Sequence, residues 1–360
     1  MDLWGRTKAL IRLGYDLDLI VTTKEQPLAE DIAVVRALTH RLELVKRASN
    51  WKGLLSRQPI QFISRRGLSS HALKEEYDIV LLETENVAPI LSNPSLRTKK
   101  VILRVQNDEC EYLRQLCKST SSPFKKLYYA EEARRYQYLS QRLFETVDAL
   151  WFISDDLCSK QPATWKNKSF VLPGSLELDQ FREPSLESTQ VLFVGTLSVP
   201  TNQEGLLWYL NYIHPALLDI PGYRLVVAGN TRGQDLKSFL GDIASRSSVE
   251  VHTDVVDLTG LYLKSRVFIN PMLRGTSVKM KTLNAAEHGL PIVTTTVGNE
   301  GTGLVSGQHL VVADEPPTFC AAVRRLLLTN DGITMVREAH QFLEERYDCA
   351  REISRLLSAI

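Results

Sequence analysis

The chain has 360 residues, which is more than one ordinary hydrophobic core organises, and this length predicts two domains. Its residues are 44% hydrophobic and 24% charged, as expected of a soluble globular protein. The formal net charge of +1 argues against a nucleic-acid-binding protein, in which a basic face is expected.

Neither an apolar run of membrane-spanning length nor a signal-peptide pattern is visible. The five cysteines are odd in number and lack CxxC spacing, which is typical of reduced thiols in a cytosolic protein. They predict no zinc site.

Short apolar runs alternate with helical patterns from end to end, which predicts an α/β fold with parallel sheets. After a helix over residues 3–13, the predicted strands of the first half are 17–22, 42–46, 79–82, 101–105 and 149–153. Those of the second half are 191–194, 224–228, 249–251, 267–270, 292–295 and 310–312. The pattern predicts two Rossmann-like, doubly wound domains facing a cleft, with ligands beyond the carboxyl ends of the strands.

The start of the sequence departs from this pattern. A doubly wound domain normally begins with a strand and a glycine-rich turn, whereas this sequence begins with the helix 3–13. Either the first strand is missing from the sequence or the sheet is built without it.

Residues 123–149 are predicted to form one long helix in which tyrosines and leucines are mixed with lysines and arginines. One interpretation is an amphipathic helix whose apolar stripe faces the domain core. The other is a basic aromatic surface that rests on anionic lipid or on a polyprenyl-phosphate acceptor. The two interpretations are compatible.

The segment 268–303 holds the strongest candidate site. A strand that ends at Asn270 leads through a turn into a helix with Lys279 and Lys281 in its first turns. Free N–H groups at a helix N-terminus beside a lysine favour an anion, above all phosphate. The spacing is not that of a Walker loop, so nucleoside triphosphate hydrolysis is not indicated. The alternative is a capped surface helix with solvated lysines.

Within this segment, glycine allows the backbone to approach a ligand, a hydroxyl caps the helix and lysine supplies a mobile charge. The residues of this candidate group are Arg274, Gly275, Thr276, Ser277, Lys279 and Lys281, with Thr276 or Ser277 as the expected cap.

Two other polar groups follow predicted strands. Gly195-Thr196 is a second glycine turn, with an ordinary strand-to-helix turn as the alternative. Gln106, Asn107, Asp108 and Glu109 follow the strand 101–105, where they contact an acceptor or only cap the helix 109–117. No Ser/His/Asp triad is visible.

The sequence resembles the GT-B-fold glycosyltransferases, in particular the retaining group related to bacterial sugar transferases of lipopolysaccharide and capsule synthesis. In the second half the resembling segments are VLFVGTLSVPTNQEGLLWYL (191–210), YRLVVAG (223–229), VEVHTDVVDLTGLY (249–262) and 268–303. In the first half they are RVQNDECEYLRQL (104–116), WFISDDL (151–157) and VLPGSLELDQF (171–181).

The resemblance implies transfer of a sugar, with retained anomeric configuration, from a UDP- or GDP-linked donor to a glycan, a lipid-linked glycan or a small molecule. It implies neither a metal nor a cofactor, since a helix dipole and cationic side chains stabilise the departing diphosphate. The location it implies is cytoplasmic, in polysaccharide biosynthesis, with contact at the inner face of the membrane through the helix 123–149.

The residues implied to bind the diphosphate are Gly195, Thr196, Arg274, Gly275, Thr276, Ser277 and Lys279. Those implied for the ribose and base are Asn284, Val255 and Val256, and the catalytic candidates are Gln106, Asn107 and Glu109. The implied domains are 1–172 on the acceptor side, 173–345 for the nucleotide sugar, and a helix at 346–360 that packs back on the first domain.

Three departures leave other functions open. The family has two glutamates eight residues apart where this sequence has Thr276 and Asn284, and a histidine where it has Gln106. It also begins with a strand and a glycine-rich turn. The second hypothesis is therefore a catalytically weak binding or partner subunit, and the third is a sugar-nucleotide epimerase.

Overall fold

The computed structural model describes residues 2–48, 56–73, 75–176, 178, 181–275 and 277–360. It divides into two compact units. The first is Met1–Ser175 together with Cys349–Ile360, and the second is Leu176–Asp348.

The strands of the first unit are β1 (Asp18–Thr23), β2 (Arg41–Lys46), β3 (Glu76–Leu82), β4 (Arg97–Val105), β5 (Ala149–Phe152) and β6 (Ser169–Val171). Its helices are α1 (Asp2–Arg12), α2 (Ala29–Leu38), α3 (Ile60–Ile63), α4 (Glu109–Ser119), α5 (Pro123–Thr146) and α6 (Asp155–Ser159). Short 3-10 helices lie at Arg66–Ser70, Glu85–Ser92 and Ala163–Lys168.

The strands of the second unit are β7 (Gln190–Val194), β8 (Arg224–Gly229), β9 (Val249–Thr253), β10 (Val267–Asn270), β11 (Ile292–Thr294) and β12 (Val311–Val312). Its helices are α7 (Pro200–Tyr212), α8 (Lys237–Ala244), α9 (Thr259–Lys264), α10 (Met280–Glu287), α11 (Thr296–Asn299), α12 (Pro316–Leu328) and α13 (Gly332–Arg346), with a 3-10 helix at His214–Leu217. The last helix, α14 (Cys349–Leu357), belongs to the first unit.

The first unit contains two parallel sheets. One has the order β1-β2 and the other the order β3-β4-β5-β6. Helix α5 covers one face of the larger sheet, where Leu143 and Phe144 pack with Leu103 and Phe152. Helices α1 and α14 pack together on its other face.

The second unit contains one parallel sheet of six strands, in the order β12-β11-β10-β7-β8-β9. Its central strand β10 is buried along its whole length, as parallel strands covered on both faces are expected to be. Helices α7 and α12 pack on one face, where Tyr209 and Phe319 are both buried.

The predicted α/β fold with two Rossmann-like parallel-sheet units is confirmed, and each predicted strand overlaps an observed one. The helix expected over 3–13 is α1, and the long helix expected over 123–149 is α5. Strand β6 was not among the predicted strands, although Phe170, Val171 and Leu172 form a short apolar run there. Within the described part of the chain, no helix has the length and apolarity needed to cross a membrane.

Candidate functional site

The candidate site of the second unit lies where the strand order of its sheet reverses. Strands β7 and β10 are neighbours in the sheet, while β8 and β11 continue it in opposite directions. The loops that leave the carboxyl ends of β7 and β10 therefore diverge, and such a point is the usual ligand site of an open α/β sheet. Gly195 follows β7 there, and the turn 271–279 follows β10.

Asn270, the last residue of β10, fixes the helices around this point. Its fully buried amide Nδ2 donates to Thr282 Oγ1 at 2.9 Å and to the Gly298 carbonyl at 3.0 Å. The Thr282 hydroxyl donates to the same carbonyl at 2.7 Å. One buried amide thus ties α10 and α11 to the end of β10.

Two glycines allow the strand ends and helices to approach closely. A Cβ atom on Gly229, at the end of β8, would lie 1.8 Å from the Gly195 carbonyl oxygen. A Cβ on Gly205, in α7, would lie 2.4 Å from the carbonyl oxygen of Pro271. Larger side chains at either position would push the loops of β7 and β10 out of place.

Lys281, on α10, connects the segments that follow β10 and β7. Its Nζ donates to Asn202 Oδ1 at 2.6 Å and lies 5.5 Å from the centre of the Phe193 ring. Asn202 Nδ2 in turn donates to the Thr196 carbonyl at 2.9 Å, so the predicted residue Thr196 is part of this contact. Burial, with the neighbouring charge of Lys279, lowers the pKa of Lys281 to about 8.

Lys279 lies immediately before α10 and is only 4% exposed. Its Nζ donates to the Ser277 carbonyl at 2.6 Å and forms an ion pair with Glu300 Oε2 at 3.3 Å. Burial lowers the pKa of Lys279, and the carboxylate of Glu300 opposes this shift. The cation predicted for phosphate is thus engaged by a carboxylate of the same unit.

The rest of the predicted phosphate loop surrounds Lys279. Gly275 has a φ of 146°, and a Cβ there would lie 3.5 Å from Lys279 Nζ, so glycine brings the backbone close to the ammonium. Arg274 is largely exposed and pairs with Glu204 at 3.4 Å. The prediction that Ser277 caps the helix is wrong, because Lys279 occupies the N-cap position and α10 has no side-chain cap. Thr276, the other predicted cap, lies outside the described residues.

Of the residues predicted for the ribose and base, only Asn284 lies on the same helix as Lys281. Asn284 lies one turn after Lys281 on α10, so the two share a face of that helix. Val255 and Val256 are exposed in the loop after β9, and β8 separates β9 from β7. Their role in binding a base stays a prediction.

The catalytic candidates of the first unit follow β4. Gln106 Nε2 donates to the Glu83 carbonyl at 3.0 Å, and Arg6 Nε donates to the Glu83 carboxylate at 3.0 Å. Burial raises the pKa of Glu109, although a hydrogen bond from Asn107 opposes the shift. Asp108 caps α4 by accepting from the Glu111 N–H at 2.8 Å, so one of the two interpretations of this segment, helix capping, holds for Asp108.

Two residues of the second-unit site were missed as site residues from the sequence, namely Asn202 and Glu300. Lys281 was part of the candidate group, but spacing gave no sign that it contacts Asn202 of α7. Glu300 lies 21 residues after Lys279 and is brought beside it by the fold. No group of three or more His, Cys, Asp or Glu side chains suited to a metal occurs among the residues described.

Comparison with known proteins places the chain in a family. Residues 188–329, which contain the site, match the family model described as glycosyl transferases group 1. The whole chain is 34% identical to an uncharacterized 44.6 kDa protein in the cps region of Klebsiella pneumoniae, over 99% of this chain and 94% of that protein.

Solved structures agree at the level of the fold. Anabaena HepE, solved in complex with UDP and glucose, is 12% identical with a TM-score of 0.66, over 99% of this chain and 96% of that one. TarM from S. aureus, solved with UDP, is 8% identical with a TM-score of 0.58, and this chain spans 55% of its length. The chain therefore belongs to the group 1 glycosyltransferases, enzymes that transfer a sugar, and has the GT-B fold.

Proposed function

We propose that this chain transfers a sugar from a nucleoside diphosphate sugar to a carbohydrate acceptor, with retained anomeric configuration and without a metal ion. The observation that carries the proposal is the position of Lys281. Lys281 of α10 contacts Asn202 of α7, which in turn binds the Thr196 carbonyl after β7, so the lysine connects the segments that follow β10 and β7 where the strand order reverses.

The chemistry of the site suits a departing diphosphate. Breaking the bond between sugar and phosphate leaves negative charge on the diphosphate, which preorganised cations and helix N-termini stabilise. Lys281 has a pKa of about 8 and is protonated at neutral pH. The N-terminus of α10 lies in the same region and adds the positive end of the helix dipole, although the Lys279 and Met280 N–H groups already donate to the carbonyls of Glu300 and Val278.

The donor in this proposal is a UDP-sugar, with a GDP-sugar as the alternative. Anabaena HepE has been solved with UDP and glucose, and its fold covers nearly the whole of this chain. The Klebsiella relative is named for the cps region, which favours an acceptor in surface-polysaccharide synthesis. In this proposal the reaction takes place on the cytoplasmic side. Gly195, Thr196, Arg274, Gly275, Thr276, Ser277 and Lys279 are proposed as the diphosphate-binding residues together with Lys281.

Contact with the inner face of the membrane is a further part of the proposal. At the start of α5, Phe124 and Leu127 are largely exposed, and Lys125 and Lys126 lie between them. Apolar side chains beside lysines suit a membrane with anionic lipids. In this proposal, such contact brings a lipid-linked acceptor near the first unit.

Calorimetric titration with UDP and GDP tests the donor site. We expect Lys281→Met to weaken UDP binding at least tenfold, because a charge-assisted bond to phosphate is lost. Lys237→Met removes an exposed lysine of α8 in the same unit and should leave the affinity unchanged. Equal affinities in the wild type and Lys281→Met would remove the phosphate assignment.

Turnover of a panel of UDP- and GDP-sugars, with the anomer followed by NMR and with a chelator present, then tests transfer itself. Hydrolysis or transfer that is retained in chelator supports the enzyme, and an inverted product contradicts retention.

A catalytically weak binding subunit is the second candidate, because of two observations. Glu300 forms an ion pair with the ammonium of Lys279, and Asn284 lies at the position where the family has an acidic residue. Nucleotide binding without turnover of any sugar nucleotide would favour this candidate. An epimerase has no comparable support.

A further inference from the structure

Two arginines of the first unit lie beyond the carboxyl ends of its strands. Arg47 directly follows β2, and Arg65 follows α3. A main-chain bond from the Ala48 N–H to the Ser64 carbonyl, at 2.7 Å, holds these two segments side by side. We call the side chains of Arg47 and Arg65 the arginine pair. Because ligands of such sheets bind beyond the carboxyl ends of the strands, the pair lies at the edge where a ligand is expected.

Both members of the arginine pair line one cavity of about 320 Å³. Thr22 of β1 and Thr84, which follows β3, also border it, and most of the other lining side chains are apolar. Within such walls a charged group interacts with an opposite charge more strongly than it does at an open surface.

The guanidinium of Arg65 is held in one orientation. This residue is only 8% exposed. Its Nη1 donates to the Gln61 carbonyl at 2.6 Å, to Gln61 Oε1 at 3.1 Å and to Ser64 Oγ at 3.2 Å. Three bonds from one nitrogen fix the plane of the guanidinium before any ligand arrives, and a group that is already fixed loses little entropy on binding.

The other edge of the same guanidinium has no partner. Arg65 Nε is buried without a hydrogen bond, and Nη2 makes none to any residue that the structure describes. Arg6 of the same unit uses this edge to bind a carboxylate, with Nε and Nη2 donating to Glu83 at 3.0 and 2.5 Å. The corresponding edge of Arg65 therefore has the geometry that binds an oxyanion through two parallel bonds.

The carboxylates nearest to the arginine pair are already engaged. Two of them line the same cavity. Glu83 binds Arg6, and Asp18 pairs with Arg41 at 3.7 Å. Within the described ranges of the chain, neither member of the arginine pair forms an ion pair with a carboxylate. Since buried charges in proteins are normally paired, this arrangement calls for an anion from outside the chain.

Both members of the arginine pair are positively charged at neutral pH. Burial and the neighbouring charge of Arg47 lower the pKa of Arg65 to about 10, which still leaves Arg65 protonated at pH 7. Arg47 Nε donates to the Thr22 carbonyl at 3.2 Å, so a main-chain group positions this second guanidinium without neutralising it. The cavity thus contains two like charges, one of them fixed in orientation.

We propose that the arginine pair binds a phosphate group of the acceptor, with Nε and Nη2 of Arg65 donating to two of its oxygens and Arg47 supplying a second charge. This inference rests on the proposed function, in which the first unit takes the acceptor, and it narrows the acceptor to a phosphorylated one. A phosphate suits two cations because it carries nearly two negative charges, whereas a carboxylate carries one. The phosphate belongs to a soluble sugar phosphate or to a lipid-linked acceptor, which share this chemistry.

The N–H signals of arginine Nε in ¹⁵N NMR spectra test the site directly. The full chain, with UDP added to saturate the donor site, is titrated with glucose 1-phosphate, with farnesyl phosphate and with glucose. We expect a phosphate to shift the Arg65 Nε–H signal, which is assigned by its loss in Arg65→Lys, and glucose to leave it unchanged. Tighter binding of glucose 1-phosphate assigns the site to a soluble acceptor, and tighter binding of farnesyl phosphate assigns it to a lipid-linked one.

Arg47→Met is the main variant, because Arg47 is only partly buried and its truncation leaves the hydrogen bonds of Arg65 in place. We expect it to weaken phosphate binding about tenfold, since one charge-assisted contact is lost. Arg66→Met is the matched control. It removes an exposed arginine next to Arg65 and should leave the affinity unchanged.

Three results would overturn the proposal. They are an Arg65 Nε–H signal that neither phosphate shifts, equal affinities in the wild type and Arg47→Met, and an equal loss in Arg47→Met and Arg66→Met, which would mean unspecific attraction by charge. The Arg65 signal reports on the first unit alone, and UDP binding is measured by calorimetry. A failure of the phosphate site with UDP still bound is therefore distinct from a failure of the proposed function, in which UDP does not bind.

Discussion

The sheet of the second unit runs through six strands without a gap, whereas the strands of the first unit form one sheet of two and another of four. Both units contain parallel strands with helices on their faces, so the same packing rules apply to both. Strand β10 is buried throughout, while every residue of β1 is only partly buried. The difference shows which half of the molecule completes its own sheet.

The proposed donor site lies wholly within the second unit. Lys279, Lys281, Asn202 and Asn270 all belong to the unit with the complete sheet, and their contacts lie within it. The loops of that site are anchored on buried strands, which is what a precisely positioned ligand site needs. The first unit carries Gln106 and Glu109 beside a sheet with an open edge.

The largest expected effect is on the stability of the two sheets. Ile269→Ala in β10 should lower the free energy of unfolding of the second unit by about 3–4 kcal/mol, because it leaves a cavity in a fully buried core. Ile20→Ala in β1 should cost the first unit only about 1 kcal/mol, since this side chain is only partly buried. Native-state hydrogen exchange resolved by peptide measures the two units separately.

The same pair of variants tests whether β1 and β10 differ in burial. If Ile20→Ala costs as much as Ile269→Ala in the 360-residue chain, the edge of β1 is covered in solution and the sheets do not differ as described.

Much of this fold could be predicted from the sequence because each strand is a short apolar run with turn residues on both sides. Val267–Asn270 was predicted to the residue, since the run VFIN is followed by proline. Local periodicity carries this information.

The site could be predicted only in part, because its contacts cross the sheet. Lys279 was identified from its place at a helix start, a local feature. Its partner Glu300 and the pair of Lys281 with Asn202 depend on which loops the fold brings together. The expected capping by Ser277 is wrong because its φ of 119° places the residue in a turn before the helix begins at Met280.

A second expected effect concerns pH and applies to the second unit alone. The pKa of Lys281 is lowered to about 8, so above that pH the ammonium deprotonates and the attraction for a diphosphate is lost. We expect the dissociation constant of UDP to rise by up to about tenfold per pH unit above pH 8. Titrations between pH 7 and pH 9 measure this, and Lys281→Met should bind weakly with no such dependence.

Proton linkage also determines how Lys281 changes the free energy of unfolding with pH. The unfolded chain keeps this lysine protonated up to its ordinary value of 10.5, whereas the folded chain releases the proton near pH 8. Between these values the unfolded state binds more protons, so the contribution of Lys281 to the free energy of unfolding rises with pH. A UDP affinity that is constant through pH 8 in the wild type would contradict the placement of Lys281 at the phosphate.

The smallest expected effect concerns Glu300, the partner of Lys279. Glu300 competes with a diphosphate for Lys279, because the two groups already lie 3.3 Å apart in an ion pair. Glu300→Gln keeps the shape of the side chain and removes its charge, so we expect UDP to bind about threefold to tenfold more tightly. Glu204→Gln, which acts on the largely exposed Arg274, should change the affinity less, since exposed ion pairs contribute little. Weaker binding by Glu300→Gln would instead mean that Glu300 holds Lys279 in position for the phosphate, and the carboxylate would then be a positioning residue of the site.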